Sequence, residues 1–314
     1  MIYLAPIQGF TDFVYRKAYS ETFTGIDTYF IPYITIKNNR ILKKYEKEIS
    51  SENNLQKHVV PQVLVKNDFE LLQLSDLLKE CGYSEINLNL GCPYPMVTNR
   101  GKGAGLLPFP GRIEKLLSAF FKKTNLKLSV KIRLGLSDSA EVKQLIPVFN
   151  NYPLTEIIVH PRIASQMYSG DINEAVFSDV LQSCTHSLVY NGDIFSLPDY
   201  YQKKVCFEPV KNWMIGRGIL MNPFLPAEIN GESFSIEGKR EKLVDFHNRI
   251  FESYSEICDN EGNTLNKMKQ FWIYFIHCFS NSKKTFKNIK KAKSLNEYDA
   301  ASTAILKLND IKME

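Results

Sequence analysis

Short apolar runs punctuate the chain at 2–5, 28–31, 59–65, 85–90, 128–132, 156–160, 188–191 and 213–215. Most are unbroken stretches rich in Val, Ile and Leu, the pattern of strands buried on both faces of a parallel sheet. Between them the apolar positions take a helical period. Over 68–81 they are Phe69, Leu71, Leu72, Leu74, Leu77 and Leu78, and over 111–124 they are Ile113, Leu116, Leu117, Phe120 and Phe121. Val142, Leu145, Ile146 and Phe149 repeat that spacing, which lines one helix face with apolar side chains. Asp68 and Ser137 or Asp138 are the expected N-caps. Eight strands alternating with helices predict an α/β fold, a (β/α)8 TIM barrel. An open doubly wound sheet shares the alternation, but no early G-x-G-x-x-G turn marks a dinucleotide-binding version of it.

The pattern changes after Asn222-Pro223-Phe224-Leu225-Pro226. Residues 231–238 read as a polar linker, and 239–258, 265–279 and 297–308 carry helical periodicity with no strand among them. The expected organisation is a barrel domain over 1–230 and a small all-helical domain over 231–314.

Composition narrows the class. Hydrophobic residues make up 44% and charged residues 23%, ordinary for a water-soluble domain. No apolar run approaches the ~18 residues that span a bilayer. The opening Met1-Ile2-Tyr3-Leu4-Ala5-Pro6 lacks a basic segment and suits a first strand better than a signal peptide, so a cytoplasmic protein without membrane attachment is expected. None of the six cysteines forms a C-x-x-C pair, and no zinc-ligand spacing occurs; neither a disulfide framework nor a metal site is expected. The net charge is +5, yet residues 263–314 alone carry ten lysines against four carboxylates, a net +6. Such a tail is either a reader of phosphate backbones or a solvated helix face, and charge alone does not choose between them.

Candidate chemistry gathers where the strands end. The run Ile86-Asn87-Leu88-Asn89-Leu90-Gly91-Cys92-Pro93 carries a thiol just past a strand, since Pro93 cannot donate to a sheet ladder. That edge is where parallel α/β folds build active sites. Cys92 there could donate a proton, attack an electrophile or fill space. Other strand ends carry Pro6-Ile7-Gln8, Gln62, Lys131 and Arg133, His160 and Arg162, Asn191-Gly192-Asp193, and Gly216-Arg217-Gly218. The last two groups read as a phosphate site, with glycines opening backbone N–H groups and Arg217 adding a fixed charge. Lys131 among apolar neighbours calls for an anionic partner. His160 suits either a structural residue or a ligand contact. Gln62 and Asn89 offer amides to the edge of a heterocycle.

Taken in order, these blocks resemble the tRNA dihydrouridine synthases over most of residues 1–230, and weakly beyond. The likeness rests on Leu4-Ala5-Pro6, Gly9, Thr11-Asp12, Asn87, Asn89, Gly91-Cys92-Pro93, Val130-Lys131, Arg133, His160, Arg162, Gln166, Tyr168, Asn191-Gly192-Asp193-Ile194 and Met214-Ile215-Gly216-Arg217-Gly218. The resemblance implies a barrel that binds FMN through Pro6, Ile7, Gln8, Gln62, Lys131, His160, Asn191, Gly192, Asp193, Gly216 and Arg217. It implies NADPH as reductant, tRNA as substrate, Cys92 as general acid and Asn89 as an orienter of uracil. Ile7, Val65, Asp68, Pro209 and Lys211 depart from the family pattern, in loops rather than in the proposed chemistry.

On that footing, loop 93–105, with Arg100, Lys102 and four small residues, is expected to be mobile and to close over the base. Tyr168 and Arg162 are expected to stack on or pair with the nucleotide. Lys283, Lys284, Lys287, Lys290, Lys291 and Lys293 are expected to hold the RNA backbone. No obligate protein partner is expected, and the chain should be a monomer. Two rivals are a flavin barrel acting on a free pyrimidine, for which a basic tail has no use, and a tRNA-binding or chaperone protein without catalysis, which has no need of Cys92, Lys131 and Arg217.

Overall fold

The computed structural model describes residues 1–37, 40–56, 58–280 and 282–312, with the side chains of Lys37, Lys283 and Lys284 outside the description. Eight parallel strands close into a barrel: β1 (Ile2–Leu4), β2 (Thr28–Ile34), β3 (Val59–Val63), β4 (Glu85–Leu90), β5 (Lys127–Gly135), β6 (Ile157–Ile163), β7 (Leu188–Tyr190) and β8 (Asn212–Ile215). β8 pairs back onto β1, with Ile2 opposite Trp213 and Leu4 opposite Ile215. All eight runs read from the sequence are strands of this barrel.

Strand side chains alternate between the two faces of a sheet. One set, including Ile2, Leu4, Ile86, Leu88, Leu90, Leu128, Val130 and Ile132, is buried under the surrounding helices. The other set points into the barrel. Its lower part is an apolar plug of Tyr3, Ala5, Phe30, Val60, Ile158, Val189 and Met214. Two residues past Val60, Ile158, Val189 and Met214 the same face carries Gln62, His160, Asn191 and Gly216, and two past the buried polar Asn87 and Ser129 it carries Asn89 and Lys131. The polar cluster therefore follows from a period of two, continued past the plug towards the carboxyl ends of the strands.

Local chemistry sets the helix starts, sometimes differently from expectation. Asn67, not Asp68, caps the Asp68–Glu80 helix by accepting from the Glu70 N–H at 2.9 Å. The Glu141–Asn150 helix has no side-chain cap at its start; instead the Glu141 carboxylate reaches back to the N–H groups of Leu136, Ser137 and Asp138. The segment after β2 folds into a small antiparallel ribbon, Ile36–Lys37 with Arg40–Ile41, and short helical turns. Its Glu48 and Asn54 bind the fully buried Arg16.

The polar linker is shorter than expected. Ser235 caps a helix spanning Ile236–Ile257, followed by helices Glu261–Phe275, Lys283–Lys291 and Leu295–Leu308. The Ile236–Ile257 helix packs on the barrel's first helix, Phe13–Thr22. Phe246 meets Tyr15, Tyr19 and Phe23 edge-on, and the Tyr254 hydroxyl donates to the Asp12 carboxylate at 2.8 Å. Among the described residues no helix is long and apolar enough to cross a membrane, and no His, Cys, Asp and Glu group could hold a metal ion.

Candidate active site

One cavity opens at the carboxyl ends of the strands. It is lined by all eleven residues singled out for a cofactor, from Pro6, Ile7 and Gln8 to Gly216 and Arg217, and by Asn89, Cys92 and Tyr168. Phe10, Tyr33, Tyr94, Arg133, Phe195 and Tyr274 also line it. Asp193 is the sole carboxylate among the lining residues, against the cations Lys131, Arg133 and Arg217.

A chain of amides fixes the floor. Asn89 donates to the Gln62 carbonyl oxygen at 2.6 Å, Gln62 donates to Asn87 at 2.8 Å, and Asn87 donates to the Ser129 hydroxyl at 2.9 Å. The Asn89 oxygen also accepts from the backbone N–H groups of Gly91 and Cys92 at 3.0 and 2.9 Å. Asn89 thus holds the turn that carries the thiol. Its oxygen is committed to that turn rather than free for a base.

Cys92 is buried, 7% exposed, against Leu64, Val97 and Tyr33. Burial pushes its thiol pKa up; the Tyr94 backbone and the charges of Arg133 and Lys131 pull the other way without cancelling it. The group is a thiol at neutral pH. The small residues of loop 93–105, whose composition suggests mobility, sit against close neighbours. Gly103 (φ +56°) lies so close that a side chain there would meet Cys92, and Ala104 donates to the Cys92 carbonyl at 3.1 Å. A side chain at Gly105 would collide with Thr98. The small residues serve close packing. Lys102 is held by Glu70 at 2.8 Å and Thr35 at 3.1 Å, so it is a strut of this loop. Arg100 is exposed and does not line the cavity.

Lys131 borders the cavity with no hydrogen-bond or ion-pair partner among the described residues. Burial, aided by the Arg133 charge, pulls its pKa down to about 7. Arg133, only 2% exposed, is anchored on the carbonyls of Gly91 and Ile163 at 3.1 and 3.0 Å. His160 is held neutral by burial and by the surrounding charges of Arg133, Lys131, Arg162 and Arg217. Arg162 can only donate to its Nε2, at 3.2 Å, which assigns the ring proton to Nδ1.

The expectation that Arg162 contacts nucleotide does not fit its surroundings. It is 3% exposed and does not line the cavity. All of its donors are spent on Gly170, His160 and Asp193. Asp193 in turn accepts from Arg217 at 2.9 Å. Burial works to raise the Asp193 pKa, but the bonds and charge of Arg162 and the charge of Arg217 outweigh it and hold it low. The Arg217 guanidinium lies 5.2 Å from the ring centres of both Tyr168 and Phe195. A fixed cation therefore stands at the wall, as the sequence suggested. The adjoining glycines also have a packing cause. A side chain at Gly218 would strike the Ile194 carbonyl, and one at Gly216 would press on Ile7 and Ala5.

Of the basic tail, Lys287, Lys290, Lys291 and Lys293 are exposed, on or beside the Lys283–Lys291 helix; the side chains of Lys283 and Lys284 lie outside the described residues.

Residues 3–312 match the family model described as "Dihydrouridine synthase (Dus)". The chain belongs to the dihydrouridine synthase family. A "Probable tRNA-dihydrouridine synthase" of Helicobacter pylori (strain J99) is 25% identical over 271 residues, covering 81% of this chain and 78% of the relative. A "Probable tRNA-dihydrouridine synthase 2" of Bacillus subtilis is 25% identical over 315 residues, covering 95% and 91%. Among solved structures, morphinone reductase with tetrahydroNAD superposes with a TM-score of 0.53 at 9% identity, over 74% of this chain and 87% of that one; this likeness is one of fold. As a dihydrouridine synthase, the chain is an oxidoreductase built on a flavoenzyme barrel. Sequence pattern does not point to Phe10, Tyr94 and Phe195, because an aromatic residue in a loop carries no periodic signal, nor to Tyr33 and Tyr274, which read as ordinary strand and helix positions.

Proposed function

We propose that this dihydrouridine synthase reduces the C5=C6 bond of a D-loop uridine in tRNA, using FMN and NADPH, with Cys92 as the proton donor to C5. The observation that carries the reading is the shared cavity: a buried thiol, kept protonated, opens onto the same space as an unpartnered Lys131 ammonium.

The donor chemistry fits a flavin. Lys131 lacks a counter-charge among the described residues, and Gln62 and Asn191, their amides held in place by Asn87, Asn89 and Met214, line the same cavity. FMN would be held by Pro6, Ile7, Gln8, Gln62, Lys131, His160, Asn191, Gly192 and Gly216, with Arg217 facing its phosphate and Asp193 fixing Arg217. A flavin bound there, reduced by NADPH, supplies the hydride for C6 of uracil.

Everything else falls to the protein. The Cys92 Sγ–H bond breaks as the proton passes to C5. The resulting thiolate is stabilised by the charges of Arg133 and Lys131, which already act on it, and it regains a proton from water. A thiol suits this role because its ordinary pKa, about 8.5, lies near the working pH. His160 is not placed to activate Cys92 as a nucleophile, since it spends its acceptor on Arg162. Tyr168, 45% exposed at the rim, would stack on the nucleotide, with Arg100 and Lys287, Lys290 and Lys291 attracting backbone phosphates. The target base must leave its stack, which costs least in an unpaired loop.

Incubating the purified protein with FMN, NADPH and unmodified tRNA tests the proposal. A yellow holoprotein that forms dihydrouridine in the D-loop is expected. A flavin-bound protein that consumes NADPH, leaves tRNA unmodified and reduces a free pyrimidine instead would overturn it.

A further inference from the structure

Among the described residues, Tyr274 is the one lining the cavity that comes from beyond residue 231. It sits in the last turn of the Glu261–Phe275 helix. Its neighbours Trp272 and Phe275 are fully buried and anchor that helix in the core. Tyr274 is instead half-buried, and its hydroxyl has no hydrogen-bond partner among the described residues. Phe10 covers one side of the ring edge-on, with centroids 4.9 Å apart, while the ring also borders the space shared by Cys92 and Lys131. Arg217 and Tyr94 are near enough to act on its hydroxyl electrostatically.

The same helix is tied at both sides. Towards the barrel, Lys267 binds the Asp12 carboxylate at 3.1 Å. Gly9, with φ +85°, leaves room for Gln270, which a side chain at that position would meet at 2.9 Å. Towards the tail, Lys269 donates at 2.6 Å to the carbonyl of Ala292, just past the lysine-rich Lys283–Lys291 helix. One packed helix thus joins the basic surface to the cavity wall and fixes an aromatic ring at the mouth.

We propose that Tyr274 is a substrate-contacting residue, the helical domain's own contribution to the active site, whose ring stacks on the nucleobase brought into the cavity. A base taken out of an RNA stack loses its π-neighbours, and an aromatic side chain replaces them without regard to sequence. Core packing is already met by Trp272 and Phe275, and the free hydroxyl argues against a hydrogen-bonded structural role. The inference rests on the cavity being the place where uracil is reduced.

The holoenzyme carrying Tyr274→Phe, Tyr274→Leu or Tyr274→Ala tests this. Bound flavin is read by absorbance, flavin reduction by NADPH without RNA, and dihydrouridine formation on unmodified tRNA as kcat/KM. Loss of one stacking contact predicts a fall of about 5- to 150-fold in kcat/KM for the Leu and Ala variants. The Phe variant should stay within about twofold of the parent, with flavin content and RNA-free reduction unchanged in all three. Parental kcat/KM in the Leu or Ala variant would overturn the proposal. So would a loss of bound flavin that accounts for the whole fall, which would assign the ring to the cofactor. A parent enzyme that forms no dihydrouridine would sink the reading of the cavity itself, a result distinct from variants that match an active parent.

Discussion

Replacing Lys131 with methionine removes an ammonium while keeping most of its volume, and the consequence depends on pH in a defined direction. In the fold the Lys131 pKa is pulled down to about 7 by burial, with the Arg133 charge acting the same way and Cys92 opposing. In the unfolded chain it returns to about 10.4. Below the folded value both states are charged and the full penalty of burying the charge is present. Between the two values the unfolded chain binds more protons, so stability rises with pH until the penalty is gone. The whole shift corresponds to about 5 kcal/mol, and water in the open cavity screens part of it, leaving about 2–3 kcal/mol. Urea denaturation of the flavin-free protein should therefore show Lys131→Met more stable by that amount at about pH 6, with the gap closing towards pH ~10. The same variant should hold flavin less tightly, because the unpartnered cation awaits that anion. A Lys131→Met protein no more stable than the parent at the acid end would refute the reasoning.

Two further outcomes follow from the same physics. Charge reversal at Lys287, Lys290 and Lys291 should weaken tRNA binding and flatten its salt dependence by roughly one unit of log–log slope per lost phosphate contact, with the flavin spectrum unchanged; filter binding across a salt series checks this, and unaltered affinity at moderate salt would reject it. At the closed end of the barrel, burial raises the Glu156 pKa to about 7 despite bonds from Tyr3 and Asn212. Stability should then fall as pH rises from about 4.5 to about 7, and Glu156→Gln should gain up to about 3 kcal/mol above that window and nothing below it.

Most of the barrel was legible because a parallel strand is buried on both faces and shows as an unbroken apolar run. The ends were less so. β2 continues through Pro32 to Ile34, and β5 and β6 extend to Gly135 and Ile163. The register shifts between Ile31 and Ile34 and between Arg133 and Gly135, irregularities that accommodate residues a regular strand excludes. The polar rim was legible as well, since a period of two carries Gln62, Asn89, Lys131 and His160 inward above the apolar plug. What each polar group binds was not. Asn89 and Arg162 lie on the right strands, but Asn89 binds its own turn and the Gln62 amide, and Arg162 binds the Gly170 carbonyl and the Asp193 carboxylate, pairings that an apolar or polar pattern does not encode. Loop 93–105 shows the same limit: a run of small residues signals mobility or close packing equally, and here Cys92 and Thr98 require the room. The buried Arg16 with Glu48 and Asn54 likewise joins segments whose sequence suggests only surface.

The chemistry converges on one thiol at the end of β4, held protonated by burial in a cavity that it shares with Lys131, Arg133 and Arg217. The most direct measurement compares the parent and Cys92→Ala holoenzymes on unmodified tRNA in a single turnover, with the flavin reduced beforehand by NADPH. Flavin content and its reduction should be unchanged, while the rate of dihydrouridine formation should fall by about 10²–10⁴-fold, the usual weight of a positioned acid. Dihydrouridine formed at the parental rate by Cys92→Ala would contradict the proton-donor role.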